Sequence, residues 1–343
     1  MAAKRWKASG ATLHANPYYR GPAAANFDGL RFFNPGEPTT DRGIAQMIRW
    51  KFGGEGAAAW PKRVKVRPAV PERRVDGLRV TMVGHATVLI QAAGLNVLTD
   101  PVWSERASPV RFAGPKRVTA PGIAFDDLPP IDAVLLSHNH YDHLDVATLA
   151  RLQGRDAPVI VTPLGNDVIV HARIPGAGIL AGDWGSRFDL PSGAEVHIVP
   201  ANHWSARGMR DRRMALWGGF MLRTAAGLAY FAGDTGYGTG RIFRDMRAQY
   251  GAPDVALLPI GAYAPRWFMS AQHCDPEESV RIMADLEARR AIGVHWGTFQ
   301  LTDEPREEPA ERLAAALAGS GIAPERFVAG HPGDVLEVAE DKP

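Results

Sequence analysis

Four metal-binding side chains fall within six consecutive positions: His138, His140, Asp142 and His143. Neutral imidazole and carboxylate are the ligand types of zinc and similar divalent ions. So dense a set has no packing rationale on an ordinary loop. An apolar run, residues 133–136 (Ala-Val-Leu-Leu), leads straight into it and reads as a buried strand. In extended chain, residues two apart project to the same side, so His138 and His140 can face one ion. The chain must then turn for Asp142 and His143 to reach a second ion nearby. Three later segments repeat the format. Residues 196–200 read as a strand leading to His203, residues 228–232 as one leading to Asp234, and residues 291–294 as one leading to His295. A lone histidine at a strand exit is ordinarily a local hydrogen-bonding group. Together with the first cluster, the three exits complete the ligands that a two-ion hydrolytic site needs.

His-x-His-x-Asp-His, followed by a His, an Asp and a His at strand ends, resembles the metallo-β-lactamase superfamily. The resemblance implies that His138, His140 and His203 hold one ion, that Asp142, His143 and His295 hold the other, and that Asp234 bridges them. Asp142 and Asp234 would be the catalytic carboxylates. The two divalent ions would be zinc by default, with manganese or iron compatible with the same ligands. A water between them, its pKa lowered toward neutrality, would supply the attacking hydroxide.

Further motifs narrow the resemblance. Gly-His-Ala-Thr at 84–87, Thr-Asp-Pro-Val-Trp-Ser at 99–104, Gly-Pro-Lys-Arg at 114–117, Pro-Arg-Trp-Phe-Met at 265–269 and His-Trp-Gly-Thr-Phe at 295–299 are similar to the N-acyl-phosphatidylethanolamine-hydrolysing phospholipase D family. The likeness implies a phospholipid substrate, cleaved to N-acylethanolamine and phosphatidate, and a homodimer. It places His273 and Gln272 at the substrate, with local hydrogen bonding at a helix start as the equal alternative for His273. His85 would stand behind the metal ligands, and Asp100 would orient a ligand imidazole through its second nitrogen. Arg266, Trp267 and Phe268, with Tyr263, would form a rim for a lipid, although aromatic residues in such number more often build core. His14, His171, His197 and His331 have no partner pattern and read as structural.

Composition sets the outer limits. The chain of 343 residues has no apolar run long enough to span a bilayer, and its N-terminus has no apolar stretch behind its charges. The single Cys274 excludes an internal disulfide and thiolate zinc fingers, which fits a cytoplasmic protein. Charge is uneven: residues 1–75 carry 14 Lys/Arg against 5 Asp/Glu, and the remainder is net acidic. That first stretch also holds Trp6, Phe27, Phe32, Trp50 and Trp60 among Gly and Pro. It reads as an arm packed on the main domain, and its basic and aromatic mixture also suits peripheral contact with an anionic membrane surface. Nucleic acid is not an expected partner, because the remainder repels a polyanion.

The supporting elements follow from periodicity. A helix is expected near residues 41–52. Strands are expected at 78–83, 88–91, 96–99 and 158–162, helices at 146–152 and 165–172, a helix at 242–250 and a strand at 255–259. Residues 276–290 read as the strongest helix, with Asp275 as cap and Pro276 at its first position, and 307–319 as the last. This α/β pattern fits more than one layer order. The resemblance selects an αββα sandwich of two mixed sheets with the metal site at one edge, formed by residues 76–343. Rival readings are a lactonase or general phosphodiesterase on the same ligands, and a lipid-binding scaffold with structural metals. A nuclease and a flavin-linked di-iron protein fit less well.

Overall fold

The computed structural model describes residues 15–54 and 56–338; Trp6 and His14 lie outside them. Helix α1 (Ile44–Phe52) comes first. Strands β1 (Leu78–Gly84), β2 (Thr87–Ala92) and β3 (Leu95–Thr99) form an antiparallel meander, and β4 (Ala133–Leu135), β5 (Val159–Pro163) and β6 (Ile179–Gly182) add to it in parallel. Helices α2 (Val146–Arg155) and α3 (Asn166–His171) make the crossovers. A second sheet runs through β7 (Arg187–Asp189), β8 (Glu195–Val199), β9 (Gly219–Thr224), β10 (Gly227–Phe231), β11 (Val255–Pro259), β12 (Arg290–Val294) and β13 (Phe327–Ala329). Helices α4 (Arg241–Tyr250), α5 (Arg266–Met269), α6 (Pro276–Asp285) and α7 (Glu308–Ser320) connect its later strands. The last strand, β14 (Val335–Val338), returns to the first sheet beside β1, which gives each sheet seven strands.

Alternation along the strands explains the layering. In β2, Val88 and Ile90 join the core between the sheets while Leu89 faces outward, and in β10 Ala229 and Phe231 point inward while Leu228 and Tyr230 point outward. Outward residues of the first sheet pack on Leu149 and Leu152 of α2; those of the second pack on Phe243 of α4, Met283 of α6 and Leu313 of α7. Both faces of both sheets are therefore covered, in the αββα order. Among the described residues no helix is long and apolar enough to cross a membrane.

One helix end and several strands stand out against the sequence expectation. The helix expected over 276–290 ends at Asp285, because Glu287 adopts left-handed backbone (φ 51°) and turns the chain into β12. Its start is as expected: the Asp275 side chain accepts the Glu278 amide at 2.9 Å, and Glu278 reaches back to complete a capping box. Edge strands β6, β7, β13 and β14 have no counterpart in the sequence reading, since runs of three or four residues carry too few alternations to register. Ahead of β1, Phe27 and Phe32 are buried against Trp217. The Trp50 indole donates to Asp303 and the Trp60 indole to the Glu304 carbonyl.

Candidate metal centre

Each candidate ligand leaves the C-terminal end of a strand. The loop after β4 carries His138, His140, Asp142 and His143; β8 leads to His203, β10 to Asp234 and β12 to His295. His85 occupies the turn between β1 and β2, and Asp100 directly follows β3. His85, Asp100 and His295 hold left-handed backbone at φ 56°, 31° and 62°. Such a conformation costs a residue with a side chain about 1–3 kcal/mol and persists where its surroundings fix it. Gly233 (φ 60°) is required just before Asp234, because a Cβ there would lie 2.8 Å from the Ser137 Cβ.

The ligand atoms form two groups. Those of His138, His140, His203 and Asp234 all lie within 4.8 Å of one another, and so do those of His85, Asp142, His143 and His295. Asp234 Oδ2 stands between the groups. It is 3.6 Å from His203 Nε2 and 3.9 Å from His138 Nε2 on one side, and 3.2 Å from His143 Nε2 and 3.1 Å from His295 Nε2 on the other.

Hydrogen bonds fix which nitrogens face inward. His143 Nδ1 donates to Asp100 Oδ2 (2.6 Å), and His203 Nδ1 donates to the Gln272 carbonyl (2.9 Å). His138 Nδ1 donates to Ser137 Oγ (2.8 Å), which itself donates to Asp100 Oδ2 (2.5 Å). One buried carboxylate thus orients two imidazoles, and all three rings present Nε2 to the centre. His138 Nε2 then lies 2.9 Å from His140 Nδ1, which is 3.3 Å from His203 Nε2. A tetrahedral ion with bonds of about 2.1 Å spaces its ligand atoms by about 3.4 Å, so this donor set fits a zinc-type ion. His143 Nε2 and Asp234 Oδ1 are buried without a hydrogen-bond partner, and buried polar atoms otherwise find one. A cation held by these residues would give both a partner.

Electrostatics separates His143 and His295 from the other rings. Burial, reinforced by neighbouring imidazoles, holds His138 well below the usual histidine range; burial likewise lowers His140 and His203 to about 3 and His85 to about 4. These rings are neutral, the form that binds metal. Burial also opposes charge on His143 and His295, but carboxylates overcome it. Asp234, Asp142 and Asp100 hold His143 well above its ordinary value, and Asp234 with Asp142 raises His295 to about 9. Burial works against ionisation of Asp142 and Asp234, yet the adjoining imidazoles hold both well below the usual carboxylate range.

A cavity of about 530 Å³ opens onto the cluster. His140, Asp142, Asp234, Gln272 and His273 contribute to its floor; Met47, Trp50, Trp204, Met209 and Phe268 contribute apolar wall, with Arg42 and Arg212 beside them. His273 Nδ1 lies 3.9 Å from Asp234 Oδ2. His85 Nε2 donates to Asp142 Oδ2 at 2.9 Å. Other sequence candidates lie off the cavity. The buried Tyr263 donates to Glu308, and Arg266 donates to the His273 carbonyl and to Glu278, holding the backbone that carries His273. Trp267 stacks under Arg49 at the surface. Sequence reasoning missed Ser137, whose hydroxyl sits inside the ligand motif, and Trp204, which follows His203 and packs 4.4 Å from the His140 ring. It also missed that Arg42, Met47 and Trp50, far upstream, complete the wall.

Two seven-stranded sheets between helices, with His and Asp converging at the strand ends, define the metallo-β-lactamase fold. A family model described as "Beta-lactamase superfamily domain" matches residues 95–296, and the chain belongs to this superfamily. Among curated relatives, it is 37% identical over 314 residues to an uncharacterised protein of Mycobacterium tuberculosis, covering 89% of this chain and 81% of the relative. It is 36% identical over 275 residues to N-acyl-phosphatidylethanolamine-hydrolyzing phospholipase D 1 of Caenorhabditis elegans, covering 77% of each. The crystal structure of isothiocyanate hydrolase from Delia radicum gut bacteria shares the fold, with a TM-score of 0.59 at 20% identity over 75% of this chain and 98% of that one.

Proposed function

We propose that this metal-dependent hydrolase is a phosphoric diester hydrolase of phospholipase D type, which cleaves N-acyl-phosphatidylethanolamine to N-acylethanolamine and phosphatidate. The carrying observation is the position of Asp234 Oδ2 between two ligand groups, at the floor of a cavity with a largely apolar wall. The relative from C. elegans, whose name states this activity, supports the choice of substrate. His138, His140 and His203 would hold one divalent ion and Asp142, His143 and His295 the other, with Asp234 shared. Zinc fits this mixture of imidazole and carboxylate, and manganese or iron is compatible. Divalent ions bound there supply a nucleophile from water at neutral pH and neutralise charge that develops on phosphate oxygens.

The chain's own residues do the rest. Asp100 and Ser137 keep His138 and His143 in one tautomer, so the centre needs no reorganisation during the reaction. Asp142, steadied by His85, offers an ionised carboxylate at the floor. Trp204, Met209 and Phe268 take acyl chain and exclude water from the reacting phosphate. Overall, water adds across the phosphorus–oxygen bond: its oxygen joins phosphorus and its proton ends on the N-acylethanolamine hydroxyl.

The test is hydrolysis of N-acyl-phosphatidylethanolamine in detergent micelles, with products resolved by mass. Release of N-acylethanolamine and phosphatidate, lost on chelation and restored by zinc, is the expected result. No lipid turnover from fully metallated protein would overturn the phospholipase reading and direct a panel of lactones and smaller phosphodiesters to the same site.

A further inference from the structure

His203 and Asp234 leave different strands, yet the residue before one is tied to the residue after the other. Asn202 is buried, and its amide donates to Thr235 Oγ1 at 2.9 Å. Its carbonyl accepts the Gly236 amide at 2.8 Å, and its side-chain amide donates to the Gly236 and Tyr237 carbonyls at 3.3 and 3.4 Å. The separation of two candidate ligands of the first group is therefore set by contacts one residue away from each.

A segment far upstream latches both loops. On the His203 side, Asn34 Nδ2 donates to the Ala201 carbonyl at 2.7 Å and to Asn202 Oδ1 at 3.4 Å. On the Asp234 side, Glu37 accepts the Thr239 amide at 3.0 Å and the Thr239 hydroxyl at 2.7 Å. The two latches meet over Gly238, which has left-handed backbone (φ 58°). A Cβ added there would collide with Glu37 Oε2 and fall 2.6 Å from Asn202 Nδ2. Asn34, Glu37 and His203 itself border one small cavity of about 100 Å³. The same segment has a further hold that touches neither loop. Asn26 Nδ2 donates to Asp183 Oδ1 at 2.7 Å, in the turn between β6 and β7, from which no candidate ligand leaves.

We propose that Asn34 and Glu37 are positioning residues for the metal centre, which hold the His203 and Asp234 loops at the spacing an ion needs. They act from 167 residues before Ala201 and 202 residues before Thr239. The inference rests on the ligand assignment proposed above. Groups that orient ligands from behind change metal affinity by about 10–100-fold. The latch acts through backbone rather than on an imidazole, so its effect belongs at the lower end of that range. The Ala201 carbonyl also accepts Trp217 Nε1 at 2.9 Å. Loss of Asn34 therefore leaves no buried acceptor bare, and the substitution tests spacing more than folding.

The experiment uses the full chain, stripped by chelator and reloaded with Zn²⁺ or Co²⁺ alone. Zinc affinity is read by chelator competition, and the surroundings of bound Co²⁺ by its visible absorption. Asn34→Ala and Glu37→Ala should each lower zinc affinity about tenfold and shift the Co²⁺ bands. Glu37→Gln keeps an acceptor for one Thr239 donor and should lose less. Asn26→Ala loosens the same segment away from the ligands, and its affinity and bands should stay within about twofold of wild type. An equal loss in Asn26→Ala would make the segment general support and overturn the proposal. So would unchanged affinity and bands in Asn34→Ala and Glu37→Ala while the wild type binds metal, which would remove the latch and leave the ligand assignment standing. If Asn34→Ala fails to fold, the two Glu37 variants decide, since that side chain lies at the surface. A wild type that takes up neither zinc nor cobalt would remove the ligand assignment itself, and the latch with it.

Discussion

The cavity has a floor and a wall built on opposite terms. On the floor the groups behind the ligands are tightly tied: Asp100 alone accepts Ser137 N, Ser137 Oγ and His143 Nδ1. Its strain sits at His85, Asp100 and His295, held by two sheets. The wall contributed by residues 40–52 is attached at a few points, among them Asp41 to Arg212 and Arg213, Arg42 to Phe268 and Trp50 to Asp303. It leaves large apolar side chains in water. The contrast teaches a division of labour. With the proposed phospholipid substrate, chemistry at phosphorus would tolerate little displacement of the ligands, whereas receiving an acyl chain would need apolar area more than exact geometry.

Breaking the floor should cost most. Asp234→Asn removes the carboxylate both groups share, so activity should fall by on the order of 10³-fold or more and metal content, measured by emission spectroscopy, should drop below one ion per chain. Retention of two ions would remove Asp234 from its central role. Asp142→Asn touches only the second group. The expected loss of turnover is about 10²–10³-fold with one ion kept, and full activity would sink a two-ion mechanism. Asp100→Asn leaves every ligand in place but weakens the orientation of His138 and His143; metal affinity in a chelator competition should fall about 10–100-fold.

The wall should respond more gently. Deleting residues 1–60 should reduce hydrolysis of vesicle lipid more than hydrolysis of bis(p-nitrophenyl) phosphate, and equal losses would make the segment plain support. Asp41 sharpens the contrast through pH. Burial works against its ionisation, but hydrogen bonds and charge from Arg212 and Arg213 prevail and lower its pKa. Its stabilisation is therefore complete above the ordinary value of 3.8 and is lost as pH falls through the lower, folded value. The carboxylate is half exposed, so the pairs contribute no more than about 1 kcal/mol and less in salt. Thermal melts of wild type and Asp41→Asn should differ slightly at pH 5 and converge toward pH 3; a gap that widens in acid would reverse the assignment.

The same contrast governs what could be read from sequence. Ligands on the floor lie at exits of apolar strands, and both their types and their spacing are local properties of the chain. His138, His140, Asp142 and His143 announce a site, and His203, Asp234 and His295 repeat its format. Wall residues carry no such signal. Met47 and Trp50 meet Met209 and Phe268 only through tertiary packing, and nothing local to Ile44 or Phe52 says that its side chain stays in water. Tyr263 and Arg266 show the converse: motif residues beside the site, they turn to Glu308 and Glu278. The short strands at the sheet edges were illegible for a third reason, because pairing partners rather than alternation define them.

One topological detail bears on how the molecule is made. Strand β14 pairs with β1 in the register Leu78 to Val338, so the sheet begun by the first strands is finished by a segment about 260 residues downstream. The meander of β1 to β3 can form early, but during synthesis its open edge waits for nearly all of the remaining chain. Until β14 arrives, that edge can recruit strands from other molecules. Truncation just before β14 is thus expected to yield aggregation rather than a smaller active enzyme, even though every candidate ligand would still be present.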